Sequence, residues 1–182
     1  MSVKLIELSS RDDLFSHLLR VGNLSFELAV RLGLEEDLCY KCFIAGCYHD
    51  HGKLFLKKEI LNKPSKLSNA EMEYVKTHVF LGALEVYKLE EDLFILNSIL
   101  HHHENYNGTG YPWKLKYEDI PIGARILRVA DSYDALISRR SYKAAYSSFE
   151  AISIMNNESD FYDPEVFNQL KEYLNMEGHF VP

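Results

Sequence analysis

A chain of 182 residues, 47% of them hydrophobic, falls in the size range of one compact domain and carries enough apolar material for a sizeable core. Its formal net charge of -7 excludes broad electrostatic binding to long nucleic acids, which needs a basic stripe to displace phosphate counterions, so an anionic substrate would require local positive charge such as metal ions. The amino terminus has no basic stretch followed by an apolar core, and no apolar run reaches bilayer-spanning length; the expectation is a single cytosolic domain over residues 1–182 with no membrane insertion.

In chain order, the first predicted element is a helix. Leu14, Leu18, Val21, Leu24, Leu28 and Leu32 form an apolar stripe one turn apart that stops at Gly33. Cys39 and Cys42 make a C-x-x-C, but the other parts of a zinc or redox motif are missing, and with Cys47 they fall in the run LCYKCFIAGCY. They read as small apolar residues of a buried helix in a reducing compartment. His49 and Asp50 are adjacent, and neighbours in a helix diverge by about 100 degrees, so both can serve one centre only near a helix end, which Gly52 permits. Ser68 with Glu71, and Ser147 with Glu150, have the spacing of capping boxes that open two further helices. Pro121 and Pro164 suit first-turn positions, and Asp163 can cap the last helix. No segment alternates like a strand, so the expected fold class is all-α: one compact helical bundle. The irregular stretch from Asn105 to Asp119 exceeds the usual connection length and marks a functional loop.

Polar residues recur where such a bundle would otherwise place core: His17, His49, Asp50, His78, His101 to His103 and Asp131. Any one of these histidines alone would read as structural or solvated. Together, neutral imidazoles and carboxylates suit first-row transition metals, and an aspartate can bridge two ions, so the set points to a two-metal site.

HDHGK at His49 to Lys53, HHENYNGTGYP at His102 to Pro112 and IPIGARILRVADSYDAL at Ile120 to Leu136 resemble, in order and spacing, the HD-GYP subgroup of HD-domain phosphohydrolases. The resemblance runs from about Asp13 to Tyr173. It implies metal ligands at His17, His49, Asp50, His78, His102, His103 and Asp131, with Asp50 bridging, His78, His102 and His103 on one ion, and His49 and Asp131 on the other. Asp13 stands one turn before His17, where some relatives place a glutamate that supports a third ion; the shorter aspartate disfavours that ion, and an acid near a helix start also suits the local dipole. Lys53, Arg140 and Lys143 match positions that hold phosphate oxygens, and Tyr111 either meets the substrate or packs the loop. The implied activity is hydrolysis of a cyclic dinucleotide, foremost cyclic di-GMP, to the linear dinucleotide, with the further cut to GMP left open. The implied cofactors are two divalent ions, iron or manganese ahead of nickel or zinc. Another HD-type nucleotide phosphohydrolase and a binding module without turnover are the competing readings, and a homodimer or a separate regulatory protein are the open partners.

Several positions depart from the family pattern. His51 stands where a small apolar residue is usual, and Lys114 and Tyr117 stand where relatives usually carry glycine. If the backbone there requires positive φ, these side chains are expected to force another path and reshape the lip over the metals. His101, preceding the matching pair, is expected to face solvent.

Overall fold

The computed structural model describes residues 12–90, 92–138 and 145–178, the side chains of 12–14 and 90 excepted. All regular structure among them is helical, as expected: α1 (Asp12–Arg31), α2 (Glu36–Tyr48), α3 (Lys58–Leu61), α4 (Asn69–Lys76), α5 (His78–Glu90), α6 (Leu93–Leu100), α7 (Ile122–Ile137), α8 (Ser148–Asn157) and α9 (Pro164–Met176). Short 3-10 turns lie at His51–Phe55, Tyr117–Asp119 and Ser159–Phe161.

The helix boundaries follow local chemistry. On α1 the stripe residues Leu18, Val21 and Leu28 are buried, and Gly33, at φ 74°, supplies the left-handed residue that ends the helix. Both capping boxes form: the Ser68 and Ser147 hydroxyls accept the amides of Glu71 and Glu150, whose carboxylates accept the serine amides in return. Asp163 accepts the amides of Glu165 and Val166, with Pro164 as the first residue of α9. Pro121 departs from its expected place: it occupies the cap position immediately before α7, where its carbonyl accepts the amides of Ala124 and Arg125. Cys39 and Cys42 are buried on α2 as small apolar residues. Burial pushes the Cys42 thiol up to about 12 and the Cys47 thiol up to about 11, so both stay protonated near neutral pH, and neither is poised for redox chemistry.

Helix α7 is the centre of the bundle. Ala124, Ile126, Leu127, Val129 and Ala130 are wholly buried, and α1, α2, α6, α8 and α9 all pack on it. Two glycine approaches set the positions of the polar residues. Gly46 of α2 faces Gly22 of α1 so closely that a Cβ at 46 would stand 2.6 Å from the Gly22 Cα. Gly52 sits against α5, where a Cβ would come within 1.9 Å of the His78 carbonyl oxygen. Its role is therefore close packing as well as release of the α2 helix end. No described helix is long and apolar enough to cross a membrane.

Candidate functional site

Helix ends deliver most of the polar residues to one place. His49 is the residue on which α2 ends, Asp50 follows in the turn, His78 opens α5, and His102 and His103 follow the last turn of α6. At these ends the chain leaves helical periodicity, so adjacent residues such as His49 and Asp50 can face one centre, as their spacing required. Two ligand groups result. Asp50, His78, His102 and His103 form one, and His17, His49 and Asp50 the other, with the potential ligand atoms of each within 4.8 Å of one another.

The tautomers are set by the backbone. Nδ1 of His49, His78 and His102 donates to the carbonyl three residues earlier, that of Gly46 at 2.8 Å, Val75 at 2.8 Å and Ile99 at 2.6 Å. In the neutral ring each Nε2 therefore carries the lone pair, and it points inward. These three Nε2 atoms and Asp50 Oδ1 are buried and make no hydrogen bond. Leaving that many buried polar atoms without partners would cost about 1–3 kcal/mol each, unless a cation completes them. The donor set fits a divalent transition metal.

Asp50 divides its carboxylate between the two groups. Oδ1 lies 3.4 Å from His78 Nε2 and 3.9 Å from His102 Nε2, while Oδ2 lies 3.6 Å from His49 Nε2 and pairs with Lys53 Nζ. Asp131 reaches in from α7, its Oδ1 3.4 Å from His17 Nε2 and 3.6 Å from His49 Nε2, both too long for good hydrogen bonds and spaced for an ion between them. Burial pushes the Asp50 carboxyl up, but Lys53 and the surrounding imidazoles outweigh it and hold it well below the usual range. The same contest lowers Asp131, with His49 the main opposing partner. Burial drives His78 down, His102 well down and His103 down to about 3, keeping those rings neutral and able to ligate.

Several residues within the quoted motifs were given no role by the sequence reading. Asp134, one turn after Asp131 on α7, accepts from His17 Nδ1 at 2.7 Å and from Arg20 Nε at 2.6 Å. Burial raises its carboxyl, but His17 and Arg20 prevail and hold it low. The i, i+3 spacing of Asp131 and Asp134 on one helix face was the available signal. Glu104, buried beside the histidine pair, accepts the Trp113 amide at 2.7 Å and so anchors the loop behind Tyr111. Arg128 is held on the same face by Asn105 at 2.9 Å and Ser132 at 2.7 Å.

The loop differs from expectation in two ways. Lys114 and Tyr117 adopt φ values of 57° and 53°, so they keep the backbone path glycine would take and bear its steric cost. His101 is buried, its ring 4.8 Å from Trp113, because the bend at the end of α6 turns it under the loop rather than into solvent. Tyr111 stacks on His103 at 4.8 Å with the Lys76 ammonium over its ring at 5.2 Å, and burial pushes its hydroxyl up. From within the loop it thus meets the His103 ring. His51 lies edge-on to Tyr48 and Phe55, both at 5.8 Å. Arg140 and Lys143 lie outside the described residues, as does the Asp13 side chain.

A helical bundle that gathers histidines and aspartates into two clusters able to hold metal ions defines a candidate metal centre. Residues 3–166 match the model of the HD domain, and the chain belongs to that family. It is 36% identical over 167 residues to a cyclic di-GMP phosphodiesterase of Pseudomonas aeruginosa, covering 91% of this chain and 40% of that protein. It is 38% identical over 133 residues to 3'3'-cGAMP-specific phosphodiesterase 3 of Vibrio cholerae, covering 72% of this chain and 29% of that one. The chain thus spans less than half the length of these curated relatives. Among solved structures it resembles an HDG"Y"P protein from Bdellovibrio bacteriovorus, with a TM-score of 0.69 at 23% identity, over 88% of this chain and 52% of the other, a likeness of fold.

Proposed function

We propose that this chain is a metal-dependent phosphodiesterase domain that hydrolyses a cyclic dinucleotide, cyclic di-GMP foremost. The observation that carries the reading is the convergence of buried, unpartnered His49, His78 and His102 Nε2 atoms on a carboxylate, Asp50, whose two oxygens face different ligand groups. The names of the Pseudomonas and Vibrio relatives support the substrate class, and the second of them favours a hybrid cyclic dinucleotide as the alternative.

Two divalent ions held by His17, His49, Asp50, His78, His102, His103 and Asp131 would supply a nucleophilic water at neutral pH and offset the charge that builds on a phosphodiester. Iron or manganese suits this mixed imidazole and carboxylate set. Within the chain, Asp50 serves both ligand groups, and Lys53, already on its Oδ2, stands where a phosphate oxygen would share its charge. Tyr111, kept protonated by burial, can donate a hydrogen bond at the lip of the site. Arg140 and Lys143 complete the proposed phosphate contacts, Arg140 through a planar fork that grips two oxygens.

The test is anaerobic purification with elemental analysis, followed by a hydrolysis screen against cyclic di-GMP, hybrid and adenine cyclic dinucleotides, resolving linear and mononucleotide products. About two ions per chain and turnover of one of these substrates is the expected result. Metal-loaded protein that binds without cleaving would replace an enzyme with a binding module.

A further inference from the structure

The imidazoles of the site are not oriented alike. His49, His78 and His102 rest their Nδ1 on neutral backbone carbonyls, whereas His17 rests its Nδ1 on the Asp134 carboxylate at 2.7 Å. Asp134 is itself held on every side: Arg20 Nε donates to Oδ1 at 2.6 Å, and Arg20 Nη2 and Ser138 Oγ donate to Oδ2 at 3.0 Å and 2.9 Å. With Asp134 buried and its rotamer locked by α1, its ability to fix the His17 ring does not depend on any ion.

A neutral His17 that donates through Nδ1 must carry its lone pair on Nε2. That atom faces Asp131 Oδ1 at 3.4 Å. Two electron-rich atoms facing each other at that separation repel, and a cation between them converts the repulsion into two ligand bonds. A hydrogen-bonded carboxylate also makes imidazole a stronger donor than a backbone carbonyl does, and such outer partners change metal affinity by roughly 10- to 100-fold.

We infer that Asp134, clamped by Arg20, is a positioning residue that acts through His17 to complete one of the two ion subsites and leaves the His78, His102 and His103 subsite untouched. This rests on the two-ion reading above. Its competitor is a purely structural role, a protonated His17 tying Asp131 to Asp134 inside the bundle.

The experiment measures ion stoichiometry and affinity by chelator competition, with manganese as the probe, in the wild-type protein, Asp134→Asn, His17→Ala and the double variant, each checked for helix content. In Asp134→Asn one ion is expected to weaken roughly 10- to 100-fold while the other keeps wild-type affinity. His17→Ala should weaken that same ion, and adding Asp134→Asn to it should produce no further loss, since Asp134 acts only through His17. Wild-type affinity for both ions in Asp134→Asn, equal weakening of both, or additive losses in the double variant would each overturn the inference. Fewer than two ions on the wild-type protein at saturating manganese would overturn the two-ion reading itself.

Discussion

At the scale of single residues, Asp50 is the position on which the proposed chemistry depends most. Its oxygens face both ligand groups, so Asp50→Ala removes a ligand from each proposed ion at once, whereas His78 belongs to one group only. Asp50→Ala is expected to abolish hydrolysis and strip most metal, and His78→Ala to lose about half the metal; elemental analysis beside a hydrolysis assay checks both. Full metal and activity in Asp50→Ala would remove the assignment. Lys114 poses a different question, because a lysine at φ 57° bears a cost of roughly 1–2 kcal/mol that glycine avoids. Glycine returns about 0.5–1 kcal/mol of that as chain entropy. Lys114→Gly should therefore raise the melting temperature by about 1–4 °C, and a fall would show that the lysine side chain offsets its own strain. These residues were legible to different degrees. The candidate ligands stood out as histidines and aspartates in a bundle's core positions, while Asp134 had no assigned role until its bond to His17, 117 positions away, was seen.

At the scale of elements, the site depends on how closely the helices approach. Gly52 lets the His49–Asp50 turn lie on the start of α5, and an added Cβ would meet backbone, the His78 carbonyl, rather than a flexible side chain. Gly52→Ala is expected to cost about 1–3 kcal/mol through overpacking and to move His78 away from Asp50, so that chemical denaturation and metal content both register the change. Normal metal binding in a destabilised variant would separate packing from the site. The helices themselves were readable, since period, capping boxes and the Asp163–Pro164 start depend on residues a few positions apart. The glycine approaches were not: nothing local distinguishes Gly46 from another helical glycine until Gly22 is placed against it.

For the molecule as a whole, the polar centre makes the metal-free fold sensitive to acid. His78, His102 and His103 have folded pKa values below those of the unfolded chain, chiefly through burial, with His103 at about 3. Below about pH 6.5 the unfolded state therefore binds protons that the folded state refuses. Stability from these three rings is complete above that pH and declines as pH falls toward about 3. His49 acts in another window: burial lowers it, but Asp50 and Asp131 outweigh that and raise it, so its contribution is gained as pH falls toward about 6.5 and is constant below. His101, lowered by burial, joins the rings that lose stability there. The net expectation for chelated protein is an unfolding free energy that falls from about pH 6.5 toward pH 5, by about 1 kcal/mol per pH unit for each ring that stays neutral in the fold. Bound ions should move that decline to lower pH, because protons must then displace metal as well. Urea titrations of chelated and loaded protein across that range measure both effects, and a flat profile in the chelated protein would contradict the burial of neutral imidazoles.

The sequence by itself determined the fold class, the helix stop at Gly33, the starts at Ser68, Ser147 and Asp163, the family motifs and the residue types able to bind metal, because each of these follows from local periodicity, local hydrogen bonding or fixed spacing along the chain. It also located the long irregular loop after the histidine pair. Tertiary structure alone decided how the carboxylate of Asp50 is shared, that His101 turns under Trp113 and that Lys114 and Tyr117 keep a glycine-like path. It alone showed that His17 is aimed by a carboxylate and a guanidinium rather than by its own backbone. Those outcomes depend on which distant side chains share a buried space, and the balance of burial against hydrogen bonding in that space is set only when the helices close on one another.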